Sequence, residues 1–374
     1  MVTRAVRSRI AAFVASAVYL AAFLVRDALL PEFVFRDAEK IQAQVEGSDL
    51  YAGTSFDAIG KFYSLLGGMA NTVVAAIGVM FICTMLGYAR RTREILLACF
   101  LIVPCAFFNL FVASKDTVVV LISILIVWAV ARLPRRIALI TAIACYALYA
   151  LLVRSYFALI ILAGAVIWIV VHARFGWKLA VGVGSVAVIS ALPPSAYELL
   201  MGPRDRAVDY LLLSSPFGAR TAFYNLVAPD SFHGFVVDYA YAFVRLNFAP
   251  VFSLGGKEVL MQLFILAALW PAVRALRWSR VSSPMMTGLA SLLLGHIAVS
   301  VLFEPDLGSY LRHLSSVALF SMVLTASMVA TKGLRPGRRC GVWETTHKGL
   351  HGSACRSVQH SCRGPRLCWA PPGP

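Results

Sequence analysis

Apolar positions in this chain come in long unbroken runs, without the every-second spacing of a half-buried strand or the three-and-four spacing of a surface helix. Such runs span Ile10 to Val25 and recur near 62–88, 95–113, 117–133, 137–153, 155–172, 177–197, 258–273, 284–303 and 311–330. About 20 apolar residues in a helix cross about 30 Å of hydrocarbon, and backbone in lipid must satisfy its own hydrogen bonds. Barrel strands would alternate, and these runs do not. The pattern therefore predicts an all-α fold: a polytopic transmembrane helix bundle of about ten spans over residues 1–330. The segment 331–374 has no helical or strand periodicity and is expected to be a cytoplasmic, disordered tail.

The polar breaks between runs give the bundle a direction. Arg90, Arg91 and Arg93, then Arg132, Arg135 and Arg136, then Arg174 and Lys178, then Arg274, Arg277 and Arg280 fall on alternate connections. Together with Arg4, Arg7 and Arg9 and with Lys332, Arg335, Arg338 and Arg339, they place both termini in the cytoplasm by the positive-inside rule. An odd number of spans breaks this regularity. The first apolar run has a basic flank like a secretory signal, but Ala15-Ser16-Ala17 lies inside the run, so an uncleaved span is expected. Residues 26–61 form a polar outer loop with seven acids and four bases, and 198–257 form a large periplasmic loop. Within the latter, Val208–Leu213 and Phe235–Phe248 are expected as interfacial or partly re-entrant helices, because a full span would bury Asp238 and Arg245.

Composition sharpens this picture. Hydrophobic residues make up 60% of the 374, charged residues 14%, and the mean hydropathy is +0.78, which excludes a soluble globular domain. The net charge of +16 does not form a nucleic-acid face. Eight of the bases stand in the tail against one acid, and most of the others lie in the short basic loops. Arginine outnumbers lysine and alanine is abundant, as in a GC-rich bacterium, so a bacterial inner membrane is expected. Cys83, Cys99, Cys105 and Cys145 read as small core residues. The tail's His347, His351, Cys355, His360 and Cys362 have no compact metal-ligand spacing, and no metal or other cofactor is expected.

Charges at the outer ends of spans carry the candidate chemistry, since an ionisable group near lipid is costly. Ser114-Lys115-Asp116 opens a span: Ser114 and Asp116 suit a helix start, whereas Lys115 opposes the dipole. Lys115 is either a snorkelling side chain at an ordinary turn or, with the helix N-terminus, the holder of an anion. Arg154 is the single charge between Ile137 and Val171 and lies on the side where it serves no topological purpose. It either reaches headgroups or grips a phosphate or carboxylate bidentately. Glu304-Pro305-Asp306-Leu307-Gly308-Ser309-Tyr310-Leu311-Arg312-His313 packs carboxylates, a phenol, a guanidinium and an imidazole at the start of the last span. It is either a structural turn with Glu–Arg pairing or a reaction centre. Asp37 and Glu39 in the first outer loop read as a solvated acidic stretch, and Arg204, Asp205, Arg206, Arg220, Asp230, His233 and Arg245 as a basic, aromatic-rich outer surface. No GxxxxGK[ST], HExxH or GxSxG occurs.

The order of these features resembles the bacterial polysaccharide (O-antigen or exopolysaccharide) polymerases of the Wzy or EpsG type. The resemblance covers roughly residues 20–330 and rests on several short stretches. They are Pro104 and Asn109 running into Ser114-Lys115-Asp116, Arg154-Ser155-Tyr156, Tyr241 to Asn247 in a long outer loop, and Arg312-His313. It implies an enzyme that polymerises oligosaccharide repeat units carried on undecaprenyl pyrophosphate at the periplasmic face. A chain-length regulator or flippase would be its partner. In that setting Lys115, Arg154, Arg312, Arg245 and Asp116 would bind substrate, and Asp306, Glu304 or His313 would serve as base. An integral-membrane glycosyltransferase using a polyprenyl-phosphate sugar is the alternative, with Asp37 and Glu39 catalytic. A lipid-linked oligosaccharide flippase would need a polar central path, of which the spans show little.

Overall fold

The computed structural model describes residues 2–214, 220–277 and 283–333. Arg280 and the tail with its Cys and His residues lie outside the described residues. Among the described residues every regular element is a helix. In chain order these are α1 (Val2–Leu24), α2 (Arg26–Leu29), α3 (Arg36–Val45), α4 (Ser55–Leu66), α5 (Ala70–Gly87), α6 (Thr92–Cys105), α7 (Lys115–Arg132) and α8 (Arg135–Leu152). They continue as α9 (Phe157–His172), α10 (Phe175–Ser190), α11 (Pro194–Asp209), α12 (Phe232–Asn247), α13 (Gly256–Arg277), α14 (Pro284–Phe303), α15 (Leu307–Ser316) and α16 (Ala318–Gly333). Six described helical segments, counting α4 with α5 and α6 with the turn that follows it as one each, or up to eight if each of two sharply bent pairs is one span, are long and apolar enough to cross a membrane. The chain is thus a multi-pass helical membrane protein by length and composition.

Starts of helices follow capping chemistry. Thr54, Ser114, Ser231, Ser283 and Asp306 each accept a backbone N–H of the first turn with their own side chain. At Ser114 the device is reciprocal, because the Thr117 hydroxyl accepts the Ser114 N–H in return. Expected single spans are broken in four places. The Gly67–Met69 turn, with Gly67 at φ 53°, divides 62–88 into α4 and α5. A π-turn over Ala106–Leu110 ends the helix that begins at Thr92. Pro193 and Pro194 close α10, and α11 turns away by 91°. The expected span 311–330 is α15 and α16, bent by 55° at Val317. The acidic loop 26–61 is also largely helical rather than irregular, because α3 packs Ile41 against Ile59 and Tyr63 of α4.

The helices run back and forth between two ends. Ser8 donates to the Leu86 carbonyl and Tyr19 crosses Gly78, which sets α1 antiparallel to α5. His172, closing α9, meets Thr287, near the start of α14, at 3.4 Å. The arginine-rich connections 87–92, 132–135 and 172–175 therefore share one end with the N-terminus and the start of α14. At the opposite end lie α3, the Ser114 turn, the α8–α9 turn, α11, α12 and the α14–α15 turn. The 18 residues of α7 separate the two ends by about 27 Å.

The firmest crossing is α9 on α14, where Gly164 and Gly295 meet. A Cβ on Gly295 would stand 2.7 Å from the Gly164 nitrogen and 2.8 Å from the Ile160 carbonyl. Small residues permit this approach, which gains dispersion contacts where lipid offers no hydrophobic drive. Of the four cysteines expected in the core, only Cys105 is buried, and Cys83 is exposed.

Candidate functional site

Three connections of the end opposite the N-terminus converge on the carboxylate of Asp116. The capped start of α7 buries it completely. Arg154, in the α8–α9 turn, puts Nη1 3.0 Å from its Oδ1. His313, on α15, puts Nδ1 3.4 Å from the same oxygen. Arg312 Nε approaches Oδ2 at 3.1 Å, off the line of a hydrogen bond, and neither atom has another hydrogen-bond partner. That contact is electrostatic.

A second ring of groups surrounds this core. Arg312 Nη1 also donates to Asp37 Oδ2 at 2.7 Å, so α3 is tied to α15 across 275 residues of chain. The other ring nitrogen of His313, Nε2, is 3.1 Å from Glu304 Oε1, and Ser309 donates to Glu304 Oε2. Arg154 Nη1 also lies 2.9 Å from the Tyr156 hydroxyl, whose ring stacks on Phe303. Lys115 donates to Ser55 at 3.3 Å and stands 3.5 Å above the Phe56 ring. Its backbone carbonyl accepts from Tyr149, and that of Ser114 accepts from Tyr63. The residues predicted from sequence as Lys115, Asp116, Arg154, Glu304, Arg312 and His313 thus form one site.

Asn109 organises the other side of it. The π-turn carries its amide inward, where Nδ2 donates to the Arg312 carbonyl and to Ser315 Oγ, both at 3.0 Å. Its own carbonyl accepts from the Thr117 hydroxyl. One residue therefore fixes the α7 start against α15, and π-turns are frequent where a helix must deliver such a side chain.

Burial and charge set the protonation states outside the spans. Burial alone would raise Asp37, but Arg312, with Lys115 and Lys40, outweighs it and holds the carboxyl well below the usual range. Burial would lower Arg154, yet Asp116 and the nearby tyrosines and Glu304 hold it well above its ordinary value. Burial pushes Glu304 up to about 7, against the Ser309 hydrogen bond and the two arginines. The site thus pairs two permanent cations with two anions and adds a carboxyl poised near neutrality. The Arg154 side chain is 10% exposed and that of Arg312 25%, so neither is fully enclosed.

Several expectations change. Asp306 accepts the Gly308 and Ser309 N–H groups and caps α15, so its carboxylate is committed to the helix start and joins none of the site contacts. Arg312 and His313 sit in the second turn of α15 rather than at its first, because the helix begins at Leu307. Asp37 is no solvated loop acid; α3 turns it inward to Arg312. Arg245 lies over Phe252 at 4.5 Å and near Phe223 and Tyr241, and it takes no part in the cluster. Arg204 is buried and structural: it donates to Asn225 and to the Val301 and Leu302 carbonyls that end α14. Asp238 accepts the Leu226 and Val227 N–H groups.

Sequence reasoning missed Tyr63, Tyr149, Phe56 and Ser55. A tyrosine inside an apolar run is the one signal that could have found the first two, since a buried phenol needs a partner. Among the described residues no group of three or more His, Cys, Asp or Glu side chains is arranged to hold a metal ion. No protein-family model, curated protein or solved structure matches the chain.

Proposed function

We propose that the chain is an integral-membrane glycosyltransferase of the bacterial inner membrane. It joins oligosaccharide repeat units carried on polyprenyl pyrophosphate at the periplasmic face. The observation that carries this reading is the convergence of Arg154 and Arg312 on the one buried carboxylate of Asp116, with Lys115 beside it in the same helix turn, held by Ser55 and Phe56, at the end opposite the N-terminus. If the positive-inside rule applies, that end faces the periplasm and the N-terminus faces the cytoplasm. Adding α7 and the 16-residue α9 to the eight spans counted by length gives ten crossings, with the C-terminus also cytoplasmic.

Glycosyl transfer from a lipid pyrophosphate breaks the anomeric C–O bond and leaves negative charge on the phosphate oxygen. Preorganised guanidiniums in a dry site stabilise such charge by about 3 kcal/mol per contact. In the resting protein Asp116 and Asp37 hold Arg154 and Arg312 in place and neutralise them. Neither side chain is fully enclosed, and in this reading both arginines turn to the phosphates when substrate enters. The acceptor hydroxyl gives its proton to the His313–Glu304 pair, whose facing atoms are 3.1 Å apart.

One observation favours a second reading. The α3 helix brings Asp37 into the site, as the polyprenyl-phosphate-sugar glycosyltransferase alternative requires of its first-loop acid. Glu39 does not join it there. A flippase has less support, because the charged groups gather at one end and do not line a path. Deletion of the gene followed by gel analysis of surface glycan separates these readings. Loss of a polymerase leaves single complete repeat units on lipid, and loss of a sugar-adding transferase leaves truncated ones. Full-length glycan in the deletion strain refutes both.

A further inference from the structure

Beside the cation site, and divided from it by α3, lies an open cleft of about 740 Å³. Asp37 and Glu39 are two positions apart on this helix, about 200° around its axis. Asp37 therefore turns to Arg312 while Glu39 faces the cleft. The two compartments share a wall. Tyr63 lines the cleft and its hydroxyl donates to the carbonyl of Ser114, the neighbour of Lys115. A helix is about 10 Å across, which is within reach of a short oligosaccharide lying over α3.

The lining has the chemistry of a carbohydrate site. Glu39, Gln42, Glu46 and Asn71 offer carboxylate and amide groups that can bond hydroxyls in pairs, and Phe35 offers an aromatic face. Gln42 Nε2 donates to Glu46 Oε1 at 2.7 Å, which orients both groups before any ligand arrives. The charge is selective as well. Asp27, Glu39 and Glu46 stand against Arg26 alone, in contrast with the cationic compartment across α3. Arg26 holds its guanidinium 4.2 Å over Phe23 and lies beside Asp27 at 3.7 Å, so its charge is partly spent.

We infer that this cleft is the acceptor subsite of the enzyme and takes a neutral or amino-bearing oligosaccharide, excluding acidic sugars. The inference rests on the glycosyl-transfer reading of the adjoining cations. Phosphate goes to one side of α3 and hydroxyl-rich glycan to the other, so that α3 sets donor against acceptor. With Asp27 set against Arg26, like-charge repulsion from Glu39 and Glu46 makes a uronic acid a poor occupant.

The full-length protein in lipid nanodiscs tests this with three probes. Maltotriose and trigalacturonate report on the cleft by saturation-transfer NMR, and inorganic pyrophosphate reports on the cations by titration calorimetry. Maltotriose should give a saturation signal and trigalacturonate none. Ala43→Trp, which fills the cleft from its α3 wall, should weaken the maltotriose signal by about tenfold or more while leaving pyrophosphate affinity unchanged. Retained pyrophosphate binding also reports that the variant is folded. Trigalacturonate binding as well as maltotriose, no maltotriose signal, or a signal that survives Ala43→Trp each overturns the acceptor subsite. Absence of pyrophosphate binding in the wild type instead refutes the reading of the cation site, whatever the sugars do.

Discussion

Replacing Asp116 by Asn is the most informative single change, because it removes one charge and almost no volume. The carboxylate is fully buried and faces Arg154 at 3.0 Å, Arg312 at 3.1 Å and His313 at 3.4 Å. Taking away one partner of a buried pair leaves the other charge uncompensated, which costs about 3–5 kcal/mol. Two features reduce that here: Arg312 keeps Asp37 at 2.7 Å, and Arg154 keeps Tyr156 at 2.9 Å. The Asn carbonyl also still accepts a hydrogen bond. The lower end, about 3 kcal/mol, is therefore expected. Denaturant unfolding of the detergent-solubilised protein measures it. Adding Arg154→Gln to Asp116→Asn should recover at least about 1 kcal/mol relative to the sum of the single changes, since the pair is in contact. A single-variant loss below about 1 kcal/mol, of the size found for exposed pairs, together with strict additivity, would refute the buried cluster.

Four other outcomes follow from the same geometry. Arg154→Lys should lose most activity despite keeping the charge, because an ammonium cannot hold Asp116 and a phosphate in the two-point manner of guanidinium; glycan chain length on gels reads this. Glu304 is protonated below about 7 and ionised above, so activity that uses it as base should rise with pH through about 7, and Glu304→Gln should flatten that limb of the rate profile. The corresponding stability runs the other way: a carboxyl raised from 4.5 to about 7 favours the fold fully below about 4.5, and this contribution fades as pH rises through about 7, a loss that Glu304→Gln removes from unfolding curves. Gly295→Leu should destabilise by about 3 kcal/mol, the upper end for overpacking, through collision with the α9 backbone, whereas Gly288→Ala, which meets nothing within 4 Å, should be neutral or stabilise by about 0.5 kcal/mol; paired unfolding curves decide this.

Much of the architecture was legible in the chain because lipid makes it so. Backbone in hydrocarbon has no water to bond, so a long apolar run has few structures open to it, and arginine on alternate connections orders the ends. The cap at Ser114 is likewise local, needing only a short polar side chain and a free N–H. The charges at Lys115, Asp116, Arg154, Glu304, Arg312 and His313 stood out because each is costly where it lies. What periodicity could not supply was the partner of each. Asp37 looked solvated because its sequence neighbours are polar, yet its ion pair is with a residue 275 positions away. Asp306 looked reactive for the company it keeps, and its carboxylate turns back to its own helix start. Arg245 and Arg312 both lie at the end opposite the N-terminus, and only packing sends one onto an aromatic ring and the other onto two carboxylates. The reason is one of range. Spans, ends and caps follow from interactions within a few residues or with the solvent. The direction in which a side chain points across a bundle is fixed by helix crossings such as Gly164 on Gly295 and by bends at Gly67, Val317 and the Asn109 π-turn.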